Sequence, residues 1–183
     1  MNAAIDVTNI RIESERLILR AWQIDDLETF YIHAFDDEDE SIDSAERPPI
    51  AVFQRILNEI VTEGKTFAVT LKDDGAIIGS IGLQPRHSDT GLTNELNGRE
   101  ISYELFKDFR GKGYMTEAVN TVCDYCFDQL RYDYLTCGYF DGNTKSKGVM
   151  ERCGFTWLKD IDTAVAPGKT IPGKLYIRYK ANK

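Results

Sequence analysis

Residues 109–118 read FRGKGYMTEA and carry more structural information than other segments of the chain. They place two glycines and two cationic side chains where a strand pattern gives way to a helical one. The first-turn amides of a helix have no acceptors inside the helix, and the helix dipole adds partial positive charge there. Glycine lets a phosphate approach the backbone closely. The segment therefore predicts a pyrophosphate-binding turn, although Gly-x-Gly also occurs in plain turns.

The segments on either side of this turn alternate between strand and helix patterns. The predicted strands are residues 10–12, 17–20, 66–71, 76–84, 100–106, 134–139, a strand from 155, and 174–179. The predicted helices are residues 25–34, 52–64, 114–130 and 143–153. An Asp-Gly pair at residues 74–75 predicts an antiparallel hairpin, and the later strand-helix-strand units supply crossovers. The pattern predicts one α/β domain with a mixed sheet.

The composition limits the possible partners. The 183 residues include 22 Lys+Arg and 30 Asp+Glu, a net charge of −8, so no nucleic-acid partner is expected. The acidic run Asp36–Glu40 is interpreted either as a solvated loop or as a rim that attracts a cationic substrate. Apolar stretches fall short of the ~20 residues that a bilayer span needs. The first residues lack the pattern of a secretory signal, so no membrane partner and a cytoplasmic location are expected.

The cysteines and histidines give no clear metal pattern. A chain without a secretory pattern favours reduced thiols over disulfides for the four cysteines, Cys123, Cys126, Cys137 and Cys153. Cys123 and Cys126 could form half of a metal site or a redox pair, but no second close pair accompanies them. His33 and His87 have no spacing typical of ligands. No metal is predicted, and Cys137 and Cys153 are expected in the core.

The glycine turn resembles the pyrophosphate signature of one enzyme superfamily. It lacks the P-loop pattern and the third glycine of a dinucleotide fold. The segment Arg110–Met115 is similar to the Arg/Gln-x-x-Gly-x-Gly/Ala signature of the GNAT superfamily of acyl-CoA-dependent N-acetyltransferases. It matches at Arg110 and Gly113 and departs at Met115, where the family has Gly or Ala. The resemblance implies that the predicted turn binds the pyrophosphate of acetyl-CoA.

Further segments extend the resemblance from about residue 10 to residue 179. Residues 143–155, NTKSKGVMERCGF, look like the Asn-x-x-Ala/Ser…Gly-Phe element of the family. Residues 15–20, ERLILR, together with Gly79 and Gly82, resemble the branch that contains the RimJ and RimL ribosomal-protein N-terminal acetyltransferases. The resemblance implies the GNAT acyl-CoA N-acyltransferase fold, an α/β (α+β) domain over residues 1–183. Its mixed, mostly antiparallel twisted sheet would be flanked by helices, with splayed central strands.

The resemblance also implies which residues bind the cofactor. The pantetheine arm would insert like an additional strand and bond to backbone groups of one predicted strand. The pyrophosphate would lie over the glycine turn, where Lys112 adds charge. The cofactor-binding residues implied in this way are Tyr103, Leu105, Phe106, Arg110, Gly111, Lys112, Gly113, Tyr114, Met115 and Asn143.

Catalysis by such an enzyme needs a base for the amine and a proton donor for the departing thiolate. Glu100 is the predicted base, because several family members carry a glutamate at the start of this strand. Glu104, on the same strand face, and water are the alternatives. Many relatives use a tyrosine as the acid, but Met150 stands there in this chain. Ser146, one helical turn earlier, is the predicted hydrogen-bond donor or acid to the thiolate, with helix capping as its alternative role.

Three functions remain open on this basis. The first is an acetyl-CoA-dependent N-acetyltransferase, monomer or homodimer, acting on a protein N-terminus or a small amine. The second is a non-catalytic acyl-CoA-binding regulatory module, which Met150 favours. The third, a phosphate-binding domain unrelated to coenzyme A, leaves residues 143–155 unexplained.

Overall fold

The computed structural model describes residues 5–33, 48–85, 90–93, 96–166 and 169–181. The acidic run Asp36–Glu40 and His87 lie outside these residues, so the interpretations placed on them stay predictions. The helices are α1 (Leu27–His33), α2 (Ile50–Glu63), α3 (Tyr114–Asp128) and α4 (Thr144–Arg152). The strands are β1 (Arg11–Glu13), β2 (Leu17–Ala21), β3 (Thr66–Leu71), β4 (Ile77–Gln84), β5 (Gly98–Leu105), β6 (Tyr134–Phe140), β7 (Thr156–Ala166) and β8 (Lys169–Tyr179).

The strands form a mixed sheet in the order β1-β2-β3-β4-β5-β6-β8-β7. The pairs β1–β2, β2–β3, β3–β4, β6–β8 and β7–β8 are antiparallel, whereas β5 and β6 are parallel. The predicted Asp-Gly hairpin is the β3–β4 connection. The predicted fold class, mixed and mostly antiparallel with flanking helices, is confirmed.

The chain divides into two compact units. The N-terminal unit comprises Ala4–Gly82 and Tyr103–Ala118. The C-terminal unit includes Leu83–Ser102 and Val119–Lys183. Both β5 and α3 contribute residues to the two units. The expectation of one domain over residues 1–183 stays a prediction.

The N-terminal unit has its own apolar core. A cluster of five buried side chains comprises Trp22, Leu57, Ala68, Ile77 and Phe106. Helix α2 buries Phe53 and Leu57 and ends where Gly64 donates its N–H to the carbonyl of Ile60. The apolar spacing of α2 and its end at Gly64 are as the sequence predicted. Burial of the apolar stripe of α2 therefore accounts for this helix.

In the C-terminal unit, β8 is longer than the predicted strand 174–179, because it begins at Lys169. Pro172 lacks an N–H, which suggested a break in the strand. The proline is tolerated because β6 pairs with β8 only from the next residue, Gly173, onward. A Cβ at Gly173 would lie 2.5 Å from the Tyr139 carbonyl oxygen, so the glycine allows β6 and β8 to approach closely. The Pro-Gly pair therefore lies within a strand.

The parallel pairing of β5 with β6 is short. It joins Gly98–Glu100 to Tyr134–Thr136, although β5 continues to Leu105 and β6 to Phe140. Pairing that stops while both strands continue confirms the expected splay of the central strands.

Gly79 of β4 is required by a close approach of the backbone in the N-terminal unit. A Cβ built at Gly79 would lie 2.2 Å from the Glu104 carbonyl oxygen, inside any permitted contact. Gly79→Ala is therefore expected to lower the free energy of unfolding by about 1–3 kcal/mol, the usual cost of overpacking. Denaturant titration would measure this loss. In the control Gly138→Ala the new Cβ makes only ordinary contacts, at 3.5 Å or more. Equal midpoints for the two variants would contradict the prediction.

Candidate active site

The predicted pyrophosphate turn lies between a short 3-10 helix, Lys107–Phe109, and the start of α3 at Tyr114. Gly111 and Gly113 have φ angles of 78° and 81°, which only glycine adopts without strain. A Cβ built at Gly111 meets nothing within 4 Å, so the space beside this backbone is open. The Met115 side chain is buried, so only its main chain could face a ligand. Left-handed glycines with open space beside Gly111 at the start of a helix are what the predicted pyrophosphate-binding turn requires.

Two cationic side chains brace this turn. Arg110 donates from Nε to the carbonyl of Leu105 at 2.9 Å and is half-buried. Lys112 donates from Nζ to the carbonyl of Asp108 at 3.0 Å, and its ammonium lies 5.6 Å from the centre of the Phe109 ring. Lys112 is exposed and bonded to a neutral group, so a bound anion could redirect its flexible side chain.

A third cation, Arg16, reaches the same turn from the β1–β2 connection. Its Nε lies 2.7 Å from Oε2 of Glu117, and its Nη1 donates to the carbonyl of Lys112 at 3.1 Å. The guanidinium lies over the ring of Tyr114, 4.5 Å from its centre. Glu117 also accepts from the hydroxyl of Ser14 at 2.7 Å. In the sequence, Arg16 is notable only as part of the segment at residues 15–20 that resembles one branch of the family, and no local pattern predicts these contacts.

The Glu117 carboxylate is stabilised in its charged form. Partial burial acts to raise the pKa of Glu117, but hydrogen bonds from Ser14 and Arg16 outweigh it and hold that pKa below its ordinary value of 4.5. A lowered pKa in the folded state means that the interaction stabilises the protein above about pH 4.5. This contribution is lost as the pH falls through the lowered pKa. The Arg16–Glu117 pair is therefore intact at neutral pH.

The end of β5 offers the backbone groups that were predicted to meet a pantetheine arm. The N–H of Phe106 donates to the carbonyl of Ile78 at 2.9 Å, and the carbonyl of Leu105 accepts from Arg110. These two groups have partners within the protein, although a carbonyl can accept a second hydrogen bond. The His33 ring is stacked on Phe106 with centres 4.3 Å apart. His33 thus packs against an aromatic ring.

Glu100, the predicted base, lies on β5 and is half-buried. Arg99 and Ile101 on either side of it are buried, whereas Ser102 and Glu104 are exposed. This alternation places Glu100, Ser102 and Glu104 on one face of the strand, as predicted. The partial burial of Glu100 distinguishes it from the exposed alternative, Glu104.

The N-terminus of α4 carries the other predicted catalytic group. Asn143 is the N-cap, and its Oδ1 accepts from the backbone N–H of Ser146 at 3.0 Å. Asn143 therefore occupies the N-cap position, and Ser146 lies within the first turn of the helix. Ser146 is half-buried. Met150 is fully buried and belongs to the core, one turn after Ser146.

The cysteines are buried thiols, as expected. The four free cysteines are Cys123, Cys126, Cys137 and Cys153. Burial raises the pKa of the Cys123 thiol to about 12 and that of Cys153 to about 11, and it raises the pKa of Cys126 as well. Metal binding and nucleophilic attack both need the thiolate, so these side chains are suited to packing.

In the described ranges, no group of three or more His, Cys, Asp or Glu side chains is arranged to hold a metal ion. Among the helices that the structure describes, none is long and apolar enough to cross a membrane.

Comparison with known proteins extends the observations. The protein family described as "Acetyltransferase (GNAT) domain" matches residues 16–156 of the chain. "Probable N-acetyltransferase YjcK" of Bacillus subtilis is 34% identical over 89 residues, 49% of this chain and 46% of that protein. "Putative ribosomal N-acetyltransferase YdaF" of the same organism is 34% identical over 82 residues, 45% of this chain and 42% of that protein. The alignments thus span about half the length of these relatives.

Solved structures share the fold at low sequence identity. A GNAT-family acetyltransferase from Bacillus anthracis superposes with a TM-score of 0.77 at 19% identity, covering 93% of this chain and 98% of that one. Microcin C7 self immunity acetyltransferase MccE, in complex with acetyl-CoA and AMP, superposes with a TM-score of 0.74 at 19% identity. The match covers 91% of this chain and 94% of that one. Ribosomal-protein-S5-alanine acetyltransferase from Vibrio fischeri superposes with a TM-score of 0.71 at 20% identity. The match covers 93% of this chain and 96% of that one.

The match to the family over residues 16–156 includes the glycine turn and α4. Together with the confirmed sheet topology, it means that the chain belongs to the GNAT acetyltransferase family.

Proposed function

We propose that the protein is an N-acetyltransferase that transfers the acetyl group of acetyl-CoA to a primary amine. The observation that carries this proposal is the turn at Gly111 and Gly113, whose left-handed glycines precede α3 and which leaves open space beside Gly111. The relatives YjcK and YdaF are both described as N-acetyltransferases, one as probable and one as putative. The related MccE structure contains acetyl-CoA. These names support acetyl-CoA as the donor.

The residues of the turn fit the phosphates of acetyl-CoA. Backbone amides at a helix N-terminus bind phosphate, and glycines allow it to approach. The pyrophosphate would contact residues 110–115, where Lys112 can redirect its ammonium from the Asp108 carbonyl to the anion. The pantetheine arm would bond to backbone groups of Tyr103, Leu105 and Phe106, in competition with the internal contacts of this segment. Asn143 would assist from the N-terminus of α4.

The proposed chemistry needs no covalent enzyme intermediate. A neutral amine attacks the thioester carbonyl, so a carbon–nitrogen bond forms and the carbon–sulfur bond breaks. Glu100 accepts the amine proton, directly or through water. The Ser146 hydroxyl donates a hydrogen bond or its proton to the departing thiolate, and in the second case it regains a proton from the solvent. The partial burial of both side chains supports these roles. The buried thiols, such as Cys123, take no part.

The proposed acceptor is a protein or peptide N-terminus or a small amine. YdaF is described as a putative ribosomal N-acetyltransferase, and the Vibrio fischeri protein as a ribosomal-protein-S5-alanine acetyltransferase. These descriptions, and the ERLILR segment at residues 15–20, favour a protein N-terminus.

A second candidate is a regulatory module that binds acyl-CoA without catalysis. Its supporting observation is Met150, which is fully buried at the position where many relatives carry a tyrosine acid. The two candidates share the glycine turn and differ in whether Glu100 and Ser146 perform chemistry.

Isothermal titration with acetyl-CoA, followed by a thiol-release assay against amines and N-terminal peptides, tests the proposal. Saturable binding with thiol release for one acceptor class is expected. Binding without release for every acceptor would favour the regulatory module. Absence of binding would overturn the cofactor assignment at Gly111 and Gly113.

Glu100→Gln is expected to change the shape of the pH–rate profile. Without the base, turnover should change less with pH on the acid side of the profile. Turnover should also fall only about tenfold, because water can partly replace the carboxylate. The matched control is Glu104→Gln on the same strand face. A profile for Glu100→Gln that superimposes on the wild type, with a changed profile for Glu104→Gln, would assign the base to Glu104.

A further inference from the structure

The direction of one amide in the glycine turn depends on a side chain distant in the sequence. Arg16 donates from Nη1 to the carbonyl of Lys112 at 3.1 Å. The carbonyl of Lys112 and the N–H of Gly113 belong to one trans peptide unit and point in opposite directions. Because Arg16 holds the carbonyl on its own side, the N–H of Gly113 is directed away from Arg16.

Nothing in the covalent structure of the turn fixes this peptide unit. Its orientation changes through ψ of Lys112 and φ of Gly113, and glycine accepts both signs of φ. Gly113 has a φ of 81°, and Gly111, two residues earlier, has 78°. A turn flanked by two such glycines can rotate its intervening peptides at low cost. A contact from outside the turn is therefore needed to select one orientation.

Arg16 is itself held in place by several contacts of the N-terminal unit. Its Nε pairs with Oε2 of Glu117 at 2.7 Å, and its backbone N–H donates to Oε1 of the same carboxylate at 2.8 Å. The guanidinium lies over the ring of Tyr114, and Ser14 donates to Glu117 as well. Each added contact reduces the freedom of the guanidinium before it meets the Lys112 carbonyl.

We propose that Arg16 is a positioning residue that keeps the Gly113 N–H directed toward the phosphates of the bound cofactor. This inference rests on the proposed function, because it assumes that the anion is the pyrophosphate of acetyl-CoA. A planar guanidinium can serve Glu117 and the Lys112 carbonyl at once while it stacks on a ring. A lysine ammonium is a point charge and cannot reproduce this arrangement.

The test compares binding of coenzyme A with binding of pantetheine, which lacks the phosphates, by calorimetry on the full chain. Arg16→Ala is expected to weaken coenzyme A binding about tenfold, the scale of one lost charge-assisted contact, and to leave pantetheine binding unchanged. Arg16→Lys is expected to lose nearly as much. The matched control, Arg11→Ala, removes an exposed arginine that pairs with Glu13 in the same unit, and it should bind both ligands as the wild type does.

Each other outcome has a distinct meaning. Equal affinity of Arg16→Ala and the wild type for coenzyme A would overturn the inference and leave the proposed function intact. Parallel loss of coenzyme A and pantetheine would indicate a general structural defect and also overturn it. Full retention of affinity in Arg16→Lys would assign the effect to charge rather than to positioning. If the wild type bound neither coenzyme A nor inorganic pyrophosphate, the proposed function itself would fail.

A second readout follows the amide directly. In a sample labelled with ¹⁵N-glycine, inorganic pyrophosphate is expected to shift the Gly113 amide resonance of the wild type. The shift should be reduced in Arg16→Ala and retained in Arg11→Ala. A full shift in Arg16→Ala would contradict the positioning role even if that variant were less stable.

Discussion

Gly113→Glu is expected to weaken acetyl-CoA binding by about 10²–10³-fold, which corresponds to roughly 3–4 kcal/mol. The substitution adds a negative charge to the turn that would bind the phosphates, and like charges at short range repel strongly. The new Cβ would lie 3.6 Å from Nη2 of Arg16, so the side chain would also disturb the contact of Arg16 with the turn. It also imposes a side chain on a residue with a φ of 81°, which disfavours the cradle conformation. Calorimetric titration of acetyl-CoA would measure the loss.

The control for this variant separates charge at the turn from strain in the backbone. Gly75 lies in the β3–β4 hairpin turn with a φ of 74°, and a Cβ there meets nothing within 4 Å. Gly75→Glu therefore introduces the same side chain at a comparable strained position away from the cradle. Wild-type affinity is expected for Gly75→Glu. Wild-type affinity for Gly113→Glu would exclude the turn as the phosphate site.

Ser146→Ala is expected to lower kcat about 10²-fold, within the usual range for a proton-transfer group, with little change in the affinity for acetyl-CoA. The reason is loss of the hydroxyl that would donate to the thiolate. The cap on Asn143 should be retained, because Ser146 contributes its backbone N–H to it and alanine keeps that group. Steady-state kinetics with the acceptor found by the thiol-release assay would provide the measurement.

Thr144→Ala is the matched control for this helix. Thr144 is exposed and begins α4 two residues before Ser146, so its loss should leave kcat near the wild-type value. An unchanged kcat for Ser146→Ala would remove the serine from the mechanism. Equal losses in both variants would point to the helix rather than to the hydroxyl.

Local signals in the sequence predicted most of the architecture. The Asp-Gly pair at residues 74–75 forms the hairpin turn, and the apolar spacing before Gly64 forms α2. The glycine turn at residues 109–118 lies at the start of α3, as its sequence indicated. These features depend on neighbours within a few residues, and turn chemistry and periodicity record such neighbours.

Features that depend on distant partners could not be predicted. Arg16 and Glu117 are 101 residues apart, and nothing local to either side chain indicates that they pair. The early start of β8 depends on its pairing with β7, which includes Lys169, and Pro172 gave the opposite local signal. Tertiary contact decides each of these features.

The burial of the four cysteines has a practical consequence for work on this protein in solution. Thiol reagents react with the thiolate, and burial raises the pKa of the Cys123 thiol to about 12, so this side chain is protonated at pH 7. Chromogenic disulfide reagents should therefore register released coenzyme A quickly and the native protein slowly. The slow component has its own use, because a buried thiol becomes reactive when the surrounding structure opens. Labelling of Cys123 and Cys126 would then time the opening of α3 without any engineered probe.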